Sequence, residues 1–335
     1  MILLTGSNGQ LGTDFKKLFN MKKISYIATD YMDLDITDIN AVRNFVKDKE
    51  ISYIINCAAY NNVDKAEEEK ELCYKLNMEA PKNLAMVAKE IGAIFVTYST
   101  DFVFGGDKEI PYTEEDRVNP LSVYAQSKTD GEKSVLENYD KVFVIRTSWV
   151  FGMGNNNFNK QVIGWSKTRD ELNIVDDQVS SPTYSWDLAE YSWDLVQSNQ
   201  FGLYQLSNDG ECSKYEQAKY VLEVTGWKGK LGTAKTEDFN LPAKRAKYSK
   251  ISSEKAEKII GRKMPSWQSG TSACPVQTPS TGAVWCRRSS ITSPPMPSCS
   301  RRERSPSATR SISASPPATS AIFWPPITLC AWGCR

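Results

Sequence analysis

The chain has 335 residues, room for one or two cores, with 40% hydrophobic and 24% charged residues and a formal net charge of +1. No apolar run reaches the roughly 20 residues that span a bilayer, and the net charge averages a stretch up to Lys263 in which acidic residues outnumber Lys and Arg with a basic remainder, so it carries no nucleic-acid inference; neither a membrane nor a nucleic acid is expected. Histidine is absent, which removes imidazole general bases, Ser-His-Asp and Cys-His nucleophiles and histidine metal sites together. Of the cysteines only Cys57, Cys73 and Cys212 precede residue 270, and none stands in a CxxC spacing. No metal site is expected, and reduced thiols fit a cytoplasmic protein.

In chain order, Met1-Ile2-Leu3-Leu4-Thr5-Gly6 has neither a basic start nor a cleavage pattern and runs straight into a glycine turn, so it reads as a first strand. Short β-rich runs then recur between helical patterns: Ser25 to Ala28, Tyr53 to Asn56, Ala93 to Val96 and Val142 to Ile145. This alternation predicts an α/β fold, a doubly wound parallel sheet of the Rossmann type. After Arg146 the pattern loosens. Asn155-Asn156-Asn157 signals a loop; helices are predicted from Phe158 to Lys167, from Ser185 to Ser198, and from Lys214 to Thr225 with Gly226 as its cap. Trp186 and Trp193 then share one packing face, and Glu67-Glu68-Glu69 reads as a solvated helix face. The expected organisation is a dinucleotide-binding domain over 1–150, with further elements added from the later chain. A smaller substrate lobe mainly over 151–268 follows, and then an anomalous tail over 269–335.

That tail is marked by composition. All 28 lysines lie at or before Lys263, whereas 10 of the 16 prolines and five of the eight cysteines lie beyond Gly270. No fold pattern survives there and disorder is expected. Arg301-Arg302-Glu303-Arg304-Ser305-Pro306-Ser307 is compatible with an RNA-binding or phosphorylated tail. The shift from Lys/Asn/Ile-rich to Ser/Pro/Arg/Ala-rich usage points instead to an out-of-frame or fused extension.

Gly6, Asn8, Gly9, Gln10, Leu11 and Gly12 form a GxxGxxG turn between the first strand and a helix whose apolar face carries Phe15, Leu18 and Phe19. Such a turn brings backbone N–H groups and the positive end of the helix up to a pyrophosphate; alone, the same glycines would also close an ordinary turn. Asp30, just past the second predicted strand, can accept both hydroxyls of an adenosine ribose, which favours NADH over NADPH, or can be a solvated turn residue. Asp35 and Ile36 can lie beside the adenine. Ala58, Ala59 and Tyr60 follow a strand end, where the small alanines permit close approach to a cofactor or simple core packing.

Ser99, Thr100 and Asp101 close the strand of Phe95 and Val96 at the carboxyl edge, where open α/β sheets hold their ligands. Tyr124 and Lys128, at i and i+4 of a predicted helix, share a face. A phenol next to a cation is predicted to have a lowered pKa and to protonate a carbonyl oxygen as hydride arrives at carbon; Thr100 would hold that oxygen and Lys128 the nicotinamide ribose. A YxxxK pair alone is also a common surface coincidence. Three signals in the right order, on the right elements, favour catalysis.

Gly6 to Gly12, Tyr98 to Phe104, Tyr124 to Lys128 with Gly131-Glu132, Arg146 to Gly152, and Asp177 to Thr183 together resemble the dTDP-4-dehydrorhamnose reductases, extended short-chain dehydrogenases, over about residues 1–268. The resemblance implies reduction of the 4-keto group of dTDP-4-dehydro-L-rhamnose to dTDP-L-rhamnose with NADPH or NADH, in nucleotide-sugar and cell-surface polysaccharide biosynthesis. It implies a dTDP-linked 4-keto-6-deoxy sugar as partner and is compatible with a homodimer. It carries catalysis onto Thr100, Tyr124 and Lys128, brings Val63, Thr100, Asp101, Phe102 and Trp149 to the sugar, and brings Asn77, Ser99, Tyr124 and Lys128 near the cofactor. Trp149 also has a packing reading. The chain departs from the family pattern at Phe102, usually tyrosine; at Ser180, usually glycine; and at Ala246, usually proline. Beyond Trp267 the family's closing helix is replaced by the tail, which implies lower stability. Two other readings share the fold: a non-catalytic dinucleotide-binding subunit like that assisting methionine adenosyltransferase, and another nucleotide-sugar epimerase or dehydratase. Asp101-Phe102 does not supply the Asp-Glu pair of the dehydratases.

Overall fold

The structure, a computed structural model, describes residues 1–154 and 157–269. The expectation of a disordered tail, and the first two asparagines of the expected loop, lie outside the described residues. The strands are β1 (Ile2–Thr5), β2 (Tyr26–Ala28), β3 (Tyr53–Asn56), β4 (Ile94–Thr100), β5 (Val142–Thr147), β6 (Val150–Phe151), β7 (Glu171–Val175), β8 (Val179–Ser180), β9 (Thr183–Tyr184), β10 (Gly202–Gln205), β11 (Cys212–Ser213) and β12 (Lys230–Ala234). The helices are α1 (Gln10–Lys22), α2 (Ile39–Val46), α3 (Lys70–Tyr74), α4 (Ala80–Ile91), α5 (Val123–Asn138), α6 (Phe158–Ser166), α7 (Ser185–Gln197), α8 (Lys214–Thr225) and α9 (Glu254–Ile260).

Six strands form one sheet in the order β10-β5-β4-β3-β1-β2, and every pairing within it is parallel. Successive side chains point to opposite faces, and the inner strands, whose two faces are both buried, are therefore apolar runs, while the edge strand β2 stays partly exposed. Ile2, Leu4, Ile55, Val96, Phe143 and Ile145 face Phe15, Phe19 and Leu188 of α1 and α7. Leu3, Ile54, Phe95, Val142 and Val144 face Val42, Leu84 and Val135 of α2, α4 and α5. Trp193 packs edge-on against Phe19 and Tyr53 at 5.2 and 5.4 Å, and Trp186 packs on the same cluster, so the tryptophan pair is one packing face as expected.

The sheet is the doubly wound α/β architecture read from the sequence, with β10 as a sixth strand supplied from the later chain. Because β1 lies between β2 and β3, connections leave it toward both sides, and a crevice opens at the carboxyl ends of β1 and β3. Over those ends sits a smaller assembly. There β7 pairs with β12, β8 pairs with β11, and α6 and α8 bury Val162, Ala218, Val221 and Leu222. Helix α8 begins with a reciprocal capping box, Ser213 with Glu216, and ends at Gly226 with φ +71°. The strands β6, β8, β9 and β11 have only two residues each, too few to carry a period in sequence. Among the described residues no helix is long and apolar enough to cross a membrane.

Candidate active site

The turn after β1 is built for close approach. Gly6 has φ +62°, and a Cβ there would lie 2.4 Å from the Ala58 amide nitrogen; a Cβ on Gly12 would lie 2.4 Å from the Gly6 carbonyl oxygen. Helix α1 has Gly9 at its N-cap, with no side-chain cap and no acidic residue in its first turn. Among the described residues the first-turn amides of Gln10, Leu11 and Gly12 thus have no side-chain acceptor, and the positive end of α1 faces the crevice. Asn56 ties the neighbouring strand ends together, accepting from the Thr5 hydroxyl at 2.8 Å and from Ala58 N–H at 3.1 Å. Asp30 stands at the rim, where its carboxylate accepts from the N–H groups of Asn8 at 2.9 Å and Tyr31 at 2.8 Å. This cradle, which any Cβ would fill, fits the pyrophosphate and ribose of a dinucleotide. Asp35 accepts from both the N–H and the hydroxyl of Thr37, at 2.9 and 2.6 Å, bonds that hold its carboxyl below the usual range; Ile36 is buried in the core.

At the next switch along the sheet, α5 presents Tyr124 and Lys128 one turn apart. Ser122 caps the helix, and Glu67 Oε1 accepts from Val123 N–H at 2.8 Å. Tyr124 is only 8% exposed, packed among Val63, Tyr60 and Phe102, with the Phe102 ring edge-on at 6.0 Å. The Thr100 hydroxyl is near enough to the Tyr124 phenol to favour its ionised form. Thr100 donates to Asp101 Oδ1 at 3.2 Å and accepts from Phe102 N–H at 3.2 Å. Lys128 Nζ donates to the Tyr98 carbonyl at 2.8 Å. Ser99 Oγ, beside these groups, is buried without a hydrogen-bond partner among the described residues.

The electrostatics correct one expectation. Burial pushes the Tyr124 phenol above its usual value; Thr100 opposes that shift, while Asp101 and Cys73 add to it. The predicted lowering by Lys128 is not among these influences, and the ammonium donates to the Tyr98 carbonyl. Burial takes Lys128 itself down to about 8, against the pull of Glu132 and Cys73. A raised phenol stays protonated at neutral pH, which is the form a proton donor needs.

Several residues sit differently from their expected roles. Asp101 is 1% exposed, and its carboxylate accepts from Ser180 at 2.9 Å, Ser249 at 2.6 Å and Thr100 at 3.2 Å. Burial nevertheless raises it to about 6. It therefore staples β4 to the upper assembly beneath the crevice, and Ser180, the departure from the family's glycine, is one of the staples. Asn77 lies in a π-helical turn, Lys75–Glu79. Its side chain accepts from Tyr60 N–H at 2.9 Å and donates to the Tyr60 carbonyl at 3.1 Å and to Ser127 Oγ at 3.0 Å. Its polar atoms are thus spent on clamping the Ala59-Tyr60 segment to α5. Gly131 permits the clamp, since a Cβ there would lie 2.1 Å from the Asn77 carbonyl oxygen.

The acidic run is a further correction. Lys65–Glu67 is a 3-10 turn; Glu67 accepts from the first amide of α5, and Glu69 accepts from the Tyr60 hydroxyl at 2.6 Å. These supports were missed because a carboxylate that bonds to a helix distant in sequence has no local signature. Trp149 has φ +40°, a left-handed backbone for a bulky residue, and its indole face carries the ammonium of Lys214, which sequence reasoning did not single out.

A family model described as the RmlD substrate binding domain matches residues 1–278. The spore coat polysaccharide biosynthesis protein SpsK of Bacillus subtilis is 35% identical over 251 residues, 75% of this chain and 88% of that protein. The dTDP-4-dehydrorhamnose reductase of Escherichia coli K12 is 33% identical over 284 residues, covering 80% and 95%. The crystal structure of the dTDP-4-dehydrorhamnose reductase of Bacillus anthracis in complex with NADP superposes with a TM-score of 0.78 at 38% identity, covering 81% of this chain and 96% of that one. These matches mean that this chain belongs to the RmlD substrate binding domain family, that of the dTDP-4-dehydrorhamnose reductases.

Proposed function

We propose that this chain is an NAD(P)H-dependent oxidoreductase that reduces the 4-keto group of dTDP-4-dehydro-L-rhamnose to give dTDP-L-rhamnose. The observation that carries the reading is the placement of Thr100 at the carboxyl end of β4 and of Tyr124 and Lys128 one turn apart on α5, beside the glycine cradle. The bound cofactor supplies a hydride to the carbonyl carbon. Tyr124, kept protonated by burial, gives its proton to the carbonyl oxygen, which the Thr100 hydroxyl holds after turning from Asp101. Lys128, anchored on the Tyr98 carbonyl, lends positive charge to the face of α5 where phenolate develops. Residues 1–150 with β10 hold the cofactor, and residues 151–268 chiefly close over the sugar, with Val63, Phe102 and Trp149 as walls. The work is cytoplasmic, in keeping with the free thiols of Cys57, Cys73 and Cys212.

Asp30 bears on the choice of cofactor. Its carboxylate can accept a ribose hydroxyl but repels a 2′-phosphate, although the Bacillus anthracis relative holds NADP. Oxidation of NADH and NADPH, followed separately by absorbance with enzymatically prepared dTDP-4-dehydro-L-rhamnose, tests both points. Turnover is expected, with NADH preferred. Asp30→Ala should lower kcat/KM for NADH by about 10–100-fold, the worth of a hydrogen bond to a charged group, and leave NADPH unchanged or improved. Failure to oxidise either cofactor contradicts the reading.

A further inference from the structure

Lys214 is the first residue of α8, and no step above uses it. Its ammonium lies 3.3 Å from the centroid of the Trp149 ring and 4.6 Å from that of Phe158, and it meets Gln217 Oε1 at 3.4 Å. Among the described residues no carboxylate closes an ion pair with it. The charged groups that act on it from a distance are already engaged: Asp101 by three hydroxyls, and Arg245 by Asp64 at 2.7 Å. The Cys212 thiol also faces it, and burial takes the ammonium down to about 7. A half-buried cation held on aromatic faces, without a counter-charge, is costly unless a ligand supplies one.

We propose that Lys214 binds the diphosphate of the nucleotide-linked sugar, with Trp149 and Phe158 as the plates that aim it. The inference rests on the reductase reading for the identity of the substrate. A sugar hydroxyl needs only a neutral donor. Within the substrate the diphosphate alone bears fixed negative charge, and only such a charge offsets the desolvation of an ammonium. The cofactor's own pyrophosphate has a separate receptor in the first-turn amides of α1.

Calorimetric binding of dTDP, thymidine and NADH to the full chain tests this without turnover. Lys214→Met should weaken dTDP binding by about 10–100-fold and leave thymidine and NADH affinities unchanged; Lys214→Arg should restore dTDP binding to within about threefold of the parent. In turnover, Lys214→Met should raise KM by a similar factor with kcat little altered. Equal dTDP affinity in parent and Lys214→Met, or a loss confined to NADH, overturns the proposal even if the chain reduces the sugar. Lys214-dependent dTDP binding by a chain that oxidises no cofactor supports the proposal and contradicts the reductase reading. A melting temperature of Lys214→Arg equal to that of the parent shows that the charge, not the fold, is being read.

Discussion

Tyr124→Phe is expected to lower the single-turnover rate of carbonyl reduction by about 10²–10⁴-fold, the usual worth of general-acid transfer. The substitution removes one oxygen and keeps the ring that packs against Phe102 and Val63. Its cost in stability is therefore confined to the interactions of one hydroxyl, about 0.5–1.5 kcal/mol, and the melting temperature should move by only a few degrees. Rapid-quench measurement of a single turnover separates this chemistry from product release. The parent rate should fall as pH rises through about 8, where Lys128 gives up its proton. An unchanged single-turnover rate in Tyr124→Phe would remove the phenol from the reaction.

The second large effect concerns the support beneath this helix. Arg146, from β5, and Glu132, from α5, form a forked pair at 2.9 and 2.7 Å, with side chains only 4% and 6% exposed. Glu132→Ala leaves the guanidinium buried over the Phe104 ring, at 5.1 Å, without its counter-charge. Breaking a buried pair from one side costs about 3–5 kcal/mol, a large share of the roughly 5–15 kcal/mol that stabilises a domain. Urea unfolding should show the loss as a lower midpoint at unchanged slope. Replacing both partners, Glu132→Leu with Arg146→Met, should cost less than Glu132→Ala, because no charge is then stranded. Glu132 also favours the charged form of Lys128, so the folded fraction of Glu132→Ala should lose activity at a lower pH than the parent.

The parts of this molecule that could be read from sequence are those written in local patterns. The inner strands of the sheet announce themselves as apolar runs because they are buried on both faces, and the end of α8 announces itself through Gly226. The glycine turn and the YxxxK spacing are equally local. What escaped depends on contacts distant along the chain. β10 has only four residues and is a strand because β5 offers it an edge. Asp101, which its place at a strand end points toward the sugar, is instead claimed by Ser180 and Ser249, 79 and 148 residues away. The direction of the Tyr124 shift was misread for the same reason: spacing gives the neighbour at i+4 but not the depth of burial, and burial dominates. Lys214 and Glu67 look like ordinary surface charges until Trp149 and α5 are placed beside them.

Hydride transfer itself gives the most direct test. With nicotinamide cofactor carrying deuterium at its reducing position and dTDP-4-dehydro-L-rhamnose as acceptor, mass spectrometry and NMR of the product should show one deuterium at C4 of dTDP-L-rhamnose for each cofactor oxidised. Conversion of the sugar without consumption of cofactor, as an epimerase would give, or cofactor binding with no transfer at all, as a regulatory subunit would give, contradicts the account.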